Sequence, residues 1–163
     1  MQIGTGTRAL VTGASRGIGR ALAEQLAERG VVLGLLARSE QELQQLAADL
    51  PGDHVVLACD IADGAAVAKA VASFAEQTGG IDLLVANAGI AHYGRFMDVP
   101  LDRIEAMVNI NVLGTLYTVR AGLVEMLPRR SGHVVVLSSG AGLRSFPEAA
   151  VYGATKAADR MLS

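Results

Sequence analysis

A short apolar run, Ala9-Leu10-Val11-Thr12, breaks into Gly13-Ala14-Ser15-Arg16-Gly17-Ile18-Gly19, and helical spacing follows at once. No other stretch constrains the fold of this chain as strongly. The three glycines meet three steric needs: a tight turn, close approach of the backbone to a ligand, and close packing of helix on strand. Exposed N–H groups and the helix dipole favour a pyrophosphate at such a turn. A glycine-rich connection with no ligand is the alternative, and the strand–turn–helix placement argues against it.

Strand-like and helix-like segments alternate through the rest of the sequence. Ile18, Leu22 and Leu26 predict one face of a first helix closed by Gly30, and residues 31–37 predict a second buried strand. Ser39-Glu40-Gln41-Glu42 has the spacing of a capping box; Leu43, Leu46, Ala47 and Leu50 continue the helix until Pro51-Gly52 stops it. Residues 54–58 and 81–86 predict two further strands, with Val67, Val71 and Phe74 marking the helix between them. After an irregular loop through His92-Tyr93-Gly94, a long helical pattern covers 100–127; 133–138 reads as a fifth strand and Val151 onward as a helix. Strands apolar along their whole length, separated by helices, describe an α/β fold with a parallel sheet covered on both faces. Right-handed crossovers then favour a Rossmann-like, doubly wound sheet in the order 3-2-1-4-5. There is no internal repeat, low-complexity tract or linker, so 1–163 reads as a single domain.

Composition excludes several function classes. Half the chain is hydrophobic and 18% is charged, with a formal net charge of −2, so neither nucleic acid nor an anionic membrane is an expected partner. The 31–37 run is too short to span a bilayer, and Met1 to Thr7 lacks the basic start and apolar stretch of a secretory signal. The lone Cys59 has no internal disulfide partner and reads as a small core residue; a cytoplasmic location is the default. No His, Cys or acid cluster has metal-ligand spacing.

The tail of the second strand reads Leu36-Ala37-Arg38, with no carboxylate to accept from a ribose 2′-OH. Arg38 and Arg16 together favour a 2′-phosphate, hence NADP(H) over NAD(H), although either arginine alone reads as a solvated surface group. Asp60 with Ile61 after the third strand, and Asn87-Ala88-Gly89 after the fourth, fall at the sheet edge where ligands of open α/β sheets sit. Asp60 reads equally well as a turn acid or a helix cap.

Lys156 follows Tyr152 by four positions, which puts both on one helical face. A free tyrosine titrates near ~10, and a nearby ammonium stabilises its phenolate. Tyr152 could then give a proton to a carbonyl oxygen, or take one in reverse, with Ser139 bonded to the same oxygen. Alone, such a pair arises by chance on many helices; its place behind Ser138-Ser139-Gly140 changes the balance. Asn111, among Val108, Ile110 and Val112, reads as a satisfied core amide, a helix-bending site, or the holder of a relay water.

In these segments the chain closely resembles the short-chain dehydrogenase/reductase family. Thr12-Gly13-Ala14-Ser15-Arg16-Gly17-Ile18-Gly19 is similar to its cofactor motif, Asp60-Ile61 to its adenine-side motif, and Asn87-Ala88-Gly89 to part of its Asn-Asn-Ala-Gly segment, with Ala86 as a departure. Asn111, Ser139, Tyr152 and Lys156 match its catalytic positions in order. The resemblance implies Tyr152 as acid–base, Lys156 as its tuner and ribose ligand, Ser139 as substrate-orienting group and Asn111 as support for a water relay. It implies an oxidoreductase acting on a small carbonyl or alcohol, with homo-oligomers formed through the 100–127 helix and the helix from Val151. It also implies further strands and a substrate-covering segment beyond Ser163, so the domain reads as C-terminally incomplete. A dinucleotide-binding module without turnover is the alternative.

Overall fold

The computed structural model describes residues 3–162; the predicted extension of the last helix to Ser163 lies outside them. Five strands, β1 (Arg8–Thr12), β2 (Val32–Ala37), β3 (Val55–Ala58), β4 (Leu83–Ala86) and β5 (His133–Val136), form one parallel sheet in the order 3-2-1-4-5. Helices α1 (Gly17–Ala27), α2 (Glu40–Asp49), α3 (Gly64–Thr78), α4 (Leu101–Met107), α5 (Gly114–Met126) and α6 (Ala150–Leu162) flank it. The fold is the Rossmann-like doubly wound sheet that the alternation of apolar segments predicted.

Period-two alternation divides the core between the two faces of the sheet. Ala9, Val11, Leu33, Leu35, Leu83 and Val85 point to one side and meet Ala23 and Leu26 of α1 and Leu43 and Leu46 of α2. Leu10, Leu36, Leu57 and Leu84 point to the other, against Val67, Val71 and Phe74 of α3 and Met126 of α5. Each fully buried leucine contributes roughly 1.5–3 kcal/mol of transfer free energy, so these two layers dominate the stability of the sheet. β3 and β5 are the edges, and Val135 on β5 is 42% exposed.

Helix boundaries follow local chemistry. The Ser39 hydroxyl accepts from the Glu42 N–H at 3.3 Å, as the capping-box spacing predicted. The Asp63 carboxylate caps α3 through Ala65 N and Ala66 N, and Gly79, in the left-handed region, ends it. Ile18 departs from the predicted core face. It is 69% exposed, whereas Gly19, Ala23, Leu26 and Ala27 face inward. The helix begins only at Gly17, so Ile18 lies in its first turn, at the mouth of the groove described below, instead of over the sheet.

The long 100–127 pattern is also interrupted. Between α4 and α5 the backbone makes a π-helical turn at Val108–Leu113. Thr115 and Thr118 donate their hydroxyls back to the carbonyls of Asn111 and Gly114, at 2.7 and 2.8 Å. The wide turn lets Asn111 reach out of the helix, the arrangement in which such turns tend to occur at functional sites.

At the opposite end of the sheet, Asp82 just before β4 accepts from Arg8 Nε at 2.7 Å, Arg8 Nη2 at 2.6 Å, the Arg8 N–H at 3.0 Å and Arg129 Nη2 at 2.9 Å. Its side chain is 20% exposed. The two guanidiniums hold its carboxyl well below the usual carboxylate range, and Arg8 is held charged in return. Because the folded value lies below the unfolded one of about 3.9, this stabilisation is complete above that pH and fades as pH falls. Asp82→Asn is expected to cost about 1–3 kcal/mol near neutrality and to flatten the acid dependence below about pH 5. Urea unfolding at several pH values checks both; an unchanged acid slope would remove Asp82 from this account.

Candidate functional site

The sheet order reverses between β1 and β4, and ligands of open α/β sheets bind in the crevice that such a reversal opens. A groove of about 610 Å³ lies there. It is lined by Gly13, Ser15, Arg16, Gly17 and Ile18 from the glycine turn and by Arg38, Asp60 and Ile61 beyond β2 and β3. Asn87, Ala88 and Gly89 line it beyond β4, and Tyr152 and Lys156 from α6. Thirteen of the sixteen predicted positions line this one groove; Gly19, Asn111 and Ser139 lie off its wall, each for a structural reason.

Gly19 is buried beneath the turn. A Cβ there would land on the Gly13 carbonyl oxygen and lie 2.6 Å from Asn87 Nδ2. At Gly13 a Cβ would come within 2.9 Å of the Ala88 backbone, and the residue has a φ of +68°. Glycine is required at both places because the start of α1 approaches the loop after β4 more closely than a side chain allows. Gly17 is different: its φ of +58° favours glycine, but the space around it is open toward the groove.

A hydrogen-bond knot holds this close approach. Thr12 is fully buried at the end of β1; its hydroxyl accepts from Asn87 N at 3.0 Å and Ala88 N at 3.1 Å and donates to the Val85 carbonyl at 3.3 Å. Asn87 returns its side-chain amide to the Thr12 carbonyl at 2.8 Å. The sequence reading treated Asn87 as a ligand residue and did not single out the Thr12 hydroxyl. A polar side chain at the inner end of an otherwise apolar strand was the available signal.

Asn111 is fully buried. Its Oδ1 accepts from Ile90 N at 2.8 Å, and its Nδ2 donates to the Ile90 carbonyl at 2.8 Å and to Thr155 Oγ1 at 2.9 Å. The side chain therefore clamps the loop after β4 to α6. Its amide donors are both committed, so the side chain has no donor left for a relay water. Ser139 caps a short 3₁₀ turn at Gly140–Gly142, with its hydroxyl accepting from Ala141 N at 3.2 Å. Ser138 lines the groove instead and donates to the Lys156 carbonyl at 2.6 Å.

Lys156 is 5% exposed, and its Nζ donates to the Leu137 carbonyl and to Asp159 Oδ2, both at 2.8 Å. Asp159 went unnoticed in the sequence, although Lys-x-x-Asp at helical spacing was the signal for it. Tyr93 packs its ring against that of Tyr152, with centroids 5.7 Å apart and planes at 58°. Gly94 N donates to the Glu148 carbonyl at 2.9 Å, joining the loop after β4 to the loop before α6 at the same end of the groove. Cys59 lines the groove but is 7% exposed, and burial together with Asp60 and Asp63 pushes its thiol upward, away from the reactive thiolate. The Asp60 carboxylate accepts from Ala62 N at 3.0 Å, the turn role that sequence reading held open for it. Glu42 of α2 also lines the groove beside the arginines, an acid the sequence reading did not weigh there. Among the described residues no group of His, Cys, Asp and Glu is arranged to hold a metal ion, and no helix is long and apolar enough to cross a membrane.

These close approaches make a graded prediction. Gly19→Ala is expected to destabilise the fold by about 1–3 kcal/mol through overpacking, and to abolish dinucleotide binding. Gly17→Ala, with open space around it, is expected to cost only about 1 kcal/mol. Unfolding curves and a dinucleotide titration of both variants test the ordering.

The family model described as short chain dehydrogenase matches residues 7–163. An uncharacterized oxidoreductase of Staphylococcus epidermidis is 35% identical over 150 residues, which cover 92% of this chain and 65% of that protein. A crystal structure of NAD+-bound xylitol dehydrogenase is 31% identical with a TM-score of 0.92, covering 99% of this chain and 64% of the other. An alcohol dehydrogenase from the archaeon Thermococcus sibiricus, complexed with 5-hydroxy-NADP, is 32% identical with a TM-score of 0.88, covering 96% and 68%. The chain thus spans about two thirds of the length of these relatives.

Proposed function

Since the chain belongs to the short chain dehydrogenase family, we propose that the full-length protein is an NADP(H)-dependent oxidoreductase that interconverts a small-molecule carbonyl and an alcohol. One observation carries the reading: the groove that starts at the glycine turn also has Tyr152 and Lys156 on its wall. A dinucleotide cradle and a proton-transfer pair therefore share a single cavity.

The residues present suit a dinucleotide. Gly13 and Gly19 sit where a Cβ would close the turn, and the start of α1 offers N–H groups to a pyrophosphate. Ser15, Arg16, Gly17 and Ile18 would hold the phosphates, Asp60 and Ile61 the adenine side, and Ala88 and Gly89 the nicotinamide half. Arg16 and Arg38 are both exposed on the groove, whose exposed acids are Glu42 and Asp60, and the two guanidiniums support a 2′-phosphate. NAD(H) fits the same cradle with weaker retention. When bound, the nicotinamide supplies or accepts a hydride at carbon.

The chain's own residues manage the proton. Tyr152 gives it to the carbonyl oxygen during reduction and takes it from the hydroxyl during oxidation. Lys156, held at the groove wall by Leu137 and Asp159, favours the phenolate and binds ribose. Ser139, whose hydroxyl oxygen accepts from Ala141 N beside the groove-lining Ser138, keeps its own hydroxyl proton to orient the substrate oxygen. Asn111 acts through position, locking the loop at Ile90 to α6 beside Lys156. Tyr93, against the Tyr152 ring, and the joined loops beside it bound the substrate end. An exposed apolar strip, Leu116, Leu123 and Val124 on α5 with Leu127 just beyond its end, supports association with a second copy of the chain, and a cytoplasmic location accords with the single unpaired cysteine.

Tyr152→Phe in the full-length protein is expected to lower carbonyl reduction by about 10²–10⁴-fold while sparing NADPH binding. Undiminished turnover would refute the assignment of Tyr152. Arg38→Asp is expected to swing the NADPH/NADH preference towards NADH by about 10–100-fold, the worth of one charge-assisted contact. An unchanged ratio of kcat/KM values would exclude Arg38 from phosphate recognition.

A further inference from the structure

Lys156 does not stand alone as a cation. Three residues further along α6, Asp159 is 2% exposed and places Oδ2 2.8 Å from Lys156 Nζ. Removing a carboxylate from water costs several kcal/mol unless a charge offsets it, and among the described residues that charge is Lys156. Of the three N–H bonds of the ammonium, one goes to Asp159 and one to the Leu137 carbonyl. A single N–H remains for the groove.

We propose that Asp159 is a positioning residue for Lys156, fixing the ammonium at the root of the groove and offsetting the charge it presents to Tyr152. The inference rests on the acid–base role proposed above for Tyr152 and Lys156. A lone ammonium stabilises a nearby phenolate by its full charge; with a carboxylate bonded to it, the pair acts as a dipole whose field falls off faster with distance. The same bond limits the swing of the long lysine side chain, so its remaining N–H is presented from one position.

Among the described residues, Asp159 is the charged side chain bonded to Lys156 Nζ, and the ionisable group facing the Tyr152 ring is Tyr93. On α6 the neighbouring ionisable groups are Tyr152 and Arg160, the latter exposed. The end of β5 contributes the Leu137 carbonyl and the neutral Ser138. The π-helical turn contributes the neutral Asn111, whose side chain would face a Cβ at Gly89 together with Nζ. Asp102, Arg103 and Glu105 of α4, which packs against α6, are exposed. The 3₁₀ turn at Gly140–Gly142 meets Lys156 through its backbone.

The test uses Asp159→Asn and Asp159→Glu in the full-length protein. An ultraviolet difference titration, with the matching Tyr152→Phe protein subtracted, follows the Tyr152 phenol without any substrate. Asp159→Asn is expected to move its midpoint to lower pH. The ascending limb of the pH profile for alcohol oxidation should move by the same amount. Asp159→Glu, which keeps the charge, should restore both towards the parent values. A folded Asp159→Asn protein with an unmoved midpoint would overturn the proposal, because a carboxylate that only supports packing would leave Tyr152 indifferent. If Asp159→Asn does not fold, Asp159→Ser supplies the neutral comparison with the same two readings. A moved midpoint in a protein that turns over no carbonyl or alcohol would uphold the Asp159–Lys156–Tyr152 coupling and overturn the oxidoreductase reading instead.

Discussion

The bond set around Thr12 is the constraint on which the rest of the site depends. A buried hydroxyl at the end of β1 takes two backbone donors from Asn87 and Ala88 and gives its proton to Val85, while the Asn87 amide returns to the Thr12 carbonyl. Four hydrogen bonds thus satisfy six polar groups that would each be costly to bury unpaired. In doing so they bring the glycine turn and the loop after β4 close enough that only glycine fits at Gly13 and Gly19. The crevice at the sheet reversal exists because this knot holds its two lips in a fixed relation.

A second clamp does the same work on the far side. Asn111, freed from regular helix geometry by the π-helical turn, ties Ile90 to Thr155. Ser138 then ties the end of β5 to the Lys156 carbonyl, and Lys156 bonds back to Leu137. Three elements distant in sequence thus fix one lysine. Two of the residues first read as chemical participants, Asn87 and Asn111, spend their side-chain bonds on holding backbone in place. A rigid surround of this kind is what preorganised chemistry needs, since an ångström of slack at a reacting group forfeits rate.

Charge is distributed in the same economical manner. The Arg8–Asp82–Arg129 cluster ties β1, β4 and the end of α5 at the end of the sheet away from the groove, where its carboxylate contributes to stability alone. At the groove the charges are exposed in Arg16, Arg38, Glu42 and Asp60 and buried in Lys156, with Asp159 bonded behind it. Exposed charges are free to meet a charged ligand, whereas the buried pair is committed to each other. In the proposed function, that division would separate recognition of phosphate from control of the proton.

Much of this was legible in the sequence. Strand order followed from the alternation of fully apolar runs with helical spacing, because a parallel sheet buried on both faces leaves few topologies and right-handed crossovers select among them. That the glycine turn, Arg38, Tyr152 and Lys156 lie on one groove was legible for a related reason: each sits at a strand end or on one helical face at the same edge of the sheet. What the sequence could not decide was which polar groups face one another across elements. Ile18 matched a core spacing yet faces the groove, because the helix starts where the turn ends. The 100–127 pattern concealed a π-helical turn, from which Asn111 bonds to a loop twenty-one positions earlier. The Asp159 carboxylate gained its meaning only when burial left Lys156 as its partner. Periodicity reports which side of an element is apolar; only the packed structure decides how the remaining hydrogen bonds and charges are satisfied, because burial forces each of them to find a partner wherever the fold brings one.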